Sequence, residues 1–394
     1  MENYLFEVSH LVFRFFHIVA GIAWIGASFY FVWLDNNLTK PPQWKQQQGI
    51  GGDLWAIHAG GIYEIAKYQS GPGQMPERLH WFKWEAYTTW ISGALLFSLL
   101  YYVGADVYLI DPSKSALQQA WDITLSVLSI ALGYLIYRVL CKTPLLGCGR
   151  LFTVVALGLL SLWAWGIDDL FSDRAVYIHV GALIGTCMAG NVFHVIMPSQ
   201  RHMVDMISSG KQPDPSFSLR AKQVSIHNNY ATLPILFIML SNHFAFTYAH
   251  EMAWLVLIAL FVVGMWIRHF FNLKNRGIYK PAVLVSGIGA FFVVILAIAP
   301  WSQQSSAASD DPVSDSRAWQ IIEQRCTECH SENPSSQLFD SAPAGLVLDT
   351  PAQARQFAAL INSRAVVSKD MPLANLTRMT HEERALIGRW ASRQ

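Results

Sequence analysis

The chain has 394 residues, of which 53% are hydrophobic and only 14% charged, with a formal net charge of +1 and a mean hydropathy of +0.28. That is too apolar for an ordinary soluble domain, and with no basic stretch long enough to neutralise a phosphate backbone it argues against nucleic-acid binding. The five cysteines give no disulfide framework: Cys141, Cys148 and Cys187 are scattered, and only Cys326 and Cys329 form a recognisable pair.

Apolar runs long enough to cross roughly 30 Å of hydrocarbon occur near Val12 to Trp33, Tyr87 to Val103, Ile123 to Leu140, Leu151 to Gly166, Val176 to Met197, Tyr230 to Phe246, Met252 to Ile267 and Ala282 to Ala299. They predict an all-α, polytopic bundle of about eight membrane spans over residues 1–300. Cations cluster in alternate connections: Lys40, Lys45, Lys67, Arg78 and Lys83 after the first run, then Arg138, Lys142 and Arg150, then Arg201, Lys211, Arg220 and Lys222, then Arg268, Lys274, Arg276 and Lys280. By the positive-inside rule these connections are cytoplasmic, which places the N-terminus and the C-terminal region in the periplasm of a bacterial inner-membrane protein. The first run lacks a basic leader and is long enough to span, so no cleaved signal peptide is expected.

Beyond Pro300 the composition turns to serine and aspartate, a polar tether assigned to residues 301–315. Residues 316–394 form a small class I cytochrome c-like domain, with helical segments near Arg317 to Arg325, Pro351 to Ile361 and His381 to Trp390. Thr380 and Glu383 read as a capping box for the last of these. Cys326-Thr327-Glu328-Cys329-His330 is a C-x-x-C-H sequence: two thiols form thioethers to the haem vinyl groups and the adjacent imidazole coordinates iron. One covalent haem c is expected, with Cys326, Cys329 and His330 as its attachments. The second iron ligand is expected at Met371, which Pro372 follows in a stiffened loop, with Met379 as the other choice.

Ionisable residues inside a membrane bundle are expensive to bury and therefore mark function. His17, His179 and His243 fall toward the periplasmic side, His194, His227 and His269 toward the cytoplasmic side. His179 and His194, fifteen residues apart on one helix, would be separated by about 22 Å and about 60°, an arrangement compatible with haem b held by ligands among His17, His179, His194 and His243. The opposing reading leaves these histidines satisfied by local hydrogen bonds. Asp168, Asp169 and Asp173 crowd a periplasmic turn and read as a solvated loop.

The cytoplasmic edges gather functional groups: His58 to Glu64 with Lys67, His80 to Tyr87, Met197 to Arg201, His227 to Tyr230 and Arg268 to Asn272. Aromatics and cations also anchor span ends, but Asn and Gln add hydrogen-bonding capacity that anchoring does not require. Around these segments, in Ala23 to Tyr30 with Asp35, Trp81 to Tyr87, Ala189 to Arg201 and His227 to Pro234, the sequence resembles the bacterial membrane-bound urate oxidases, in which an eight-span domain is fused to a C-terminal cytochrome c.

The resemblance implies oxidation of urate to 5-hydroxyisourate, with electrons passing to the c haem and on to a soluble cytochrome or terminal oxidase. A planar purine anion calls for a cation, amide partners and an aromatic wall. Lys67 and Arg201 are candidates for the charge, Gln200, Asn228 and Asn229 for the purine edges, and His227, Glu64 and Glu85 for the base. Two other classes compete: a membrane electron-transfer subunit oxidising quinol or a partner dehydrogenase, and a haem-tethered transporter. Lipid surrounds the chain in each case, and a homo-oligomer is compatible with all three.

Overall fold

The computed structural model describes residues 2–111, 114, 118–248, 250, 252–299, 314–336 and 338–394. Most of the expected tether therefore lies outside the described residues. The chain is dominated by helices: α1 (Glu2–Asn37), α2 (Gln43–Gln47), α3 (Trp84–Ser98, prolonged by a π-helical turn at Leu99–Val103), α4 (Ala105–Tyr108), α5 (Gln119–Leu140), α6 (Gly149–Asp168), α7 (Asp173–Asn191, running through a π-helical turn at Val192–Ile196 into α8, Met197–Ser208), α9 (Pro215–Ser241), α10 (Ala253–Asn275) and α11 (Pro281–Ala297). Six helical stretches among these are long and apolar enough to cross a membrane, by length and composition: those of α1, α3, α5, α6, α7 with α8, and α10. The expected eighth run forms α11, a shorter apolar helix of 17 residues. The expected sixth run forms α9, which begins fifteen residues before Tyr230 and ends at Ser241.

Helix α7 is the centre of the bundle. Its Tyr177, Val180, Leu183 and Cys187 are buried with Leu160 and Ala164 of α6, Ile238 of α9 and Leu257, Ile258 and Phe261 of α10. Close approach is built into the sequence: at Gly190 a β-carbon would lie 2.4 Å from the Tyr134 hydroxyl oxygen, so only glycine admits that ring beside the helix. By contrast α1 and α5 leave Leu11, Phe15, Ile22, Leu128, Leu132 and Val139 exposed. Apolar faces of this extent are unfavourable in water and suited to hydrocarbon.

One element departs from the expected all-α class. Residues between α2 and α3 form an antiparallel hairpin of β1 (Ile50–His58) and β2 (Gly61–Tyr68), with Trp55 opposite Glu64 and Ile57 opposite Ile62. Ala59 and Gly60 make its two-residue turn, both with positive φ, the combination that matches the twist of paired strands. Lys45 of α2 secures the base, donating to Asp53 at 2.6 Å and to Glu64. The Asp53 and Glu64 hydrogen bonds hold its ammonium above the ordinary lysine range. We call the end of the bundle that carries this hairpin the hairpin end, and the other the linker end.

After the tether come α12 (Asp315–Arg325), α13 (Pro351–Gln356), α14 (Ala358–Ile361, followed by a π-helical turn at Asn362–Val367) and α15 (His381–Ala391). They enclose a second core of Ile321, Ile322, Leu348, Ile361, Met379, Ile387 and Trp390. The Thr380 and Glu383 capping box is formed as expected. The turn at Leu373–Asn375 packs against α4 at the linker end of the bundle.

Candidate functional site

Two regions carry chemistry. The first is the C-x-x-C-H turn, which leaves α12 at Cys326, the C-cap of the helix. His330 Nδ1 donates to the Leu346 carbonyl at 3.1 Å, and its backbone carbonyl accepts from Leu348 at 2.8 Å. That hydrogen bond fixes the tautomer that leaves Nε2 unprotonated, the nitrogen needed for a metal. Cys326 and Cys329 are free thiols, and burial pushes the Cys326 thiol up to about 12. The donor set fits a covalently attached haem. Met379 is 4% exposed within the domain core, whereas Met371 sits half-buried in the loop. Arg384, itself buried, donates to the carbonyls of Ala365 and Met371, the latter at 2.6 Å. Sequence reading missed this clamp, which pins the loop from α15.

The second region is a set of polar side chains in the hairpin half of the bundle, hung on successive residues of α9. Toward α7, Asn191 Nδ2 donates to Asn228 Oδ1 at 2.9 Å and to the Tyr137 hydroxyl oxygen at 2.7 Å, while Asn228 donates to the Met188 carbonyl at 3.0 Å. Because the Tyr137 oxygen accepts from Asn191, its own proton points to His227 Nδ1, 3.0 Å away. The His227 ring stacks on Phe152 with centroids 4.4 Å apart. Asn191 is 1% exposed and its Oδ1 has no hydrogen-bond partner.

Toward α10, Asn229 donates to Asn272 Oδ1 at 2.8 Å and accepts from Arg268 Nε at 2.6 Å. The Arg268 guanidinium lies 3.9 Å from the centroid of Phe29. One step further along α9, the Tyr230 hydroxyl meets His269 Nδ1 at 2.6 Å. Tyr137, Asn191 and Phe29 were not among the residues expected to form a site, whereas Arg268 opens one of the polar edge segments. Their signal was present: the resemblance segments Ala23 to Tyr30 and Ala189 to Arg201 contain Phe29 and Asn191.

Other expected site residues lie elsewhere. Glu64 is bound to Lys45 and Lys67 to Asp35, at 2.6 Å in the second case, so both serve the hairpin and its junction with α1. Gln200 and Arg201 are exposed on α8. Glu85, at the start of α3, keeps one buried carboxylate oxygen without a partner, and its other oxygen is 4.0 Å from His80.

The four histidines considered for haem b do not share one environment. His179 is fully buried, with Nε2 hydrogen-bonded to Ser126 at 2.7 Å and Nδ1 to the Ala175 carbonyl at 2.7 Å. Its metal-binding nitrogen is therefore already engaged. His194 is exposed, and it falls in the π-helical turn, so the spacing expected of a regular α-helix does not hold between it and His179. His243 lies beyond the end of α9 and is exposed, while His17 Nδ1 bonds the Thr89 carbonyl at 3.0 Å. As placed, His179 has both ring nitrogens hydrogen-bonded and does not fit as a haem ligand.

Residues 3–299 match the family model described as urate oxidase N-terminal. The chain belongs to this family. The match covers the whole bundle, including both networks on α9, and stops before the cytochrome-like region. Comparison with curated proteins and with solved structures found no match. As a member of the urate oxidase family the chain is an oxidoreductase related to urate oxidation.

Proposed function

We propose that this chain is a membrane enzyme that oxidises urate to 5-hydroxyisourate at the hairpin half of its bundle and delivers the electrons to a C-terminal haem c. The family match over residues 3–299 carries this reading. The reaction adds one water to urate and releases two protons and two electrons. A cation, amides able to donate and accept, an aromatic wall and an acceptor for protons are the groups such a substrate requires, and the two networks on α9 contain all of them.

The residues divide the work by chemistry. Asn228 and Asn191 orient each other, and the unpartnered Asn191 Oδ1 is available to a purine N–H. The Tyr137 hydroxyl passes its proton to His227 Nδ1 as it takes one from substrate or water, so the proton comes to rest on the imidazole. Stacking against Phe152 keeps that imidazole in line with the hydroxyl. Cys326, Cys329, His330 and Met371 would hold a haem c, which would supply a one-electron acceptor with a raised potential.

The positive-inside rule places the hairpin end in the cytoplasm and the haem domain in the periplasm of a bacterial inner membrane, where a soluble cytochrome or terminal oxidase takes up the electrons. Anaerobic turnover of urate with an added one-electron acceptor tests this. His227→Gln should lower kcat by about 100-fold or more, the scale of a lost general base. Wild-type turnover that requires oxygen and leaves the acceptor oxidised would contradict the proposal.

A further inference from the structure

Arg268 is 4% exposed, and its Nη2 has no hydrogen-bond partner. None of the ion pairs among the described residues includes it. Its assigned neighbours, Asn229, Phe29 and Tyr230, carry no formal charge. A guanidinium held away from water without a counter-ion is among the costliest arrangements in a folded chain, and costlier still inside a membrane bundle. Here it is nonetheless held firmly: Asn229 accepts from Nε, and Asn272 accepts from Asn229 and so fixes the amide. Phe29 lies over one face of the guanidinium, and the unpartnered Nη2 is at its edge, where a ligand arriving in the guanidinium plane would meet it.

We propose that Arg268, oriented by Asn229 and Asn272 and walled by Phe29, is the subsite for the negatively charged edge of a planar organic anion. This rests on the reading above, under which the anion is urate. An edge-on approach suits a flat heterocycle whose charge is spread over ring nitrogen and carbonyl oxygen, since two adjacent acceptors then lie in the guanidinium plane. The site also accounts for the sequence around it: arginine rather than lysine supplies the planar fork, and neutral amides rather than carboxylates orient it, leaving its charge uncompensated for the ligand.

The test is equilibrium binding of radiolabelled urate to the full chain in nanodiscs, without oxygen or electron acceptor, with hypoxanthine as a neutral purine and benzoate as a planar anion of another class. Wild type should prefer urate to hypoxanthine. Arg268→Gln should weaken urate about 30-fold, as loss of one charge-assisted contact does, and leave hypoxanthine unchanged. Arg268→Lys and Phe29→Leu should each weaken urate by a smaller factor, and they keep the test open if the glutamine variant fails to assemble. Urate bound with wild-type affinity by both Arg268 variants would overturn the subsite while leaving the substrate reading intact. Benzoate binding that depends on Arg268, in a wild type that ignores urate, would support the subsite and overturn urate as its ligand. No binding of either anion to wild type would overturn both.

Discussion

The Tyr137 hydroxyl accepts from Asn191 and donates to His227 in the same geometry, so removing it breaks the relay without displacing either neighbour. Tyr137→Phe should lower kcat for urate by about 10-fold or more while KM moves little, because the lost group handles a proton rather than binding the purine. Steady-state kinetics in the anaerobic assay measures the split. A change confined to KM would assign Tyr137 to binding instead. At this scale the sequence was partly legible. His227, Asn228 and Asn229 stand out because a polar triplet beside an apolar run needs a reason. Arg268 stands out only as part of its segment, because a cation near a span end is also what an interfacial anchor looks like; its burial separates the two. The partners of Lys67 and Glu64 were not legible: Asp35 and Lys45 are distant enough in sequence that the pairing is invisible without the fold.

Among elements, α15 is held by its N-terminus. Glu383 bonds the Thr380 backbone N–H at 2.7 Å and pairs with Arg325 of α12 at 2.9 Å. Burial works against its charge, but the Arg325 and Thr380 hydrogen bonds win and hold the carboxyl below the ordinary glutamate range. A depressed carboxylate contributes stability above its unfolded pKa and loses it as pH falls through the folded one. Glu383→Ala should therefore destabilise the C-terminal domain by about 2 kcal/mol at neutral pH, with the difference from wild type shrinking in acid below the ordinary carboxylate range. Urea unfolding of the full chain, followed by haem absorbance, reads both. The three helical segments expected of this domain, the middle one divided into α13 and α14, and the capping box were legible because each has a local signal. The β1–β2 hairpin was not, although Ala59-Gly60-Gly61 marks a turn, because its buried base depends on Lys45 reaching Asp53 and Glu64 from α2. Lys45→Ala should open it, and limited proteolysis should then cut between residues 50 and 68 where wild type resists.

Across the molecule, the proposed site and the C-terminal domain lie at opposite ends. Asn191 is eighteen residues beyond Asp173 on α7, roughly 27 Å of helix, while the turn following Met371 packs on α4 at the linker end. On the proposed reading, this separation keeps purine and haem apart, and the electrons cross the bundle. Near α4 the interior is aromatic: Tyr108 and Tyr101 centroids lie 6.1 Å apart, Tyr101 and Phe97 4.9 Å, and Phe97 and His179 5.1 Å. Orientation is testable with the exposed Cys148, between α5 and α6 at the hairpin end. A membrane-impermeant maleimide should label it only after the inner membrane is permeabilised; labelling in intact spheroplasts would reverse the topology. The central claim is that urate electrons reach haem c within one chain. An anaerobic optical spectrum of the purified protein before and after addition of urate tests it most directly. Rapid appearance of the reduced c-type bands is the predicted result, and a haem that dithionite reduces but urate leaves oxidised would contradict it.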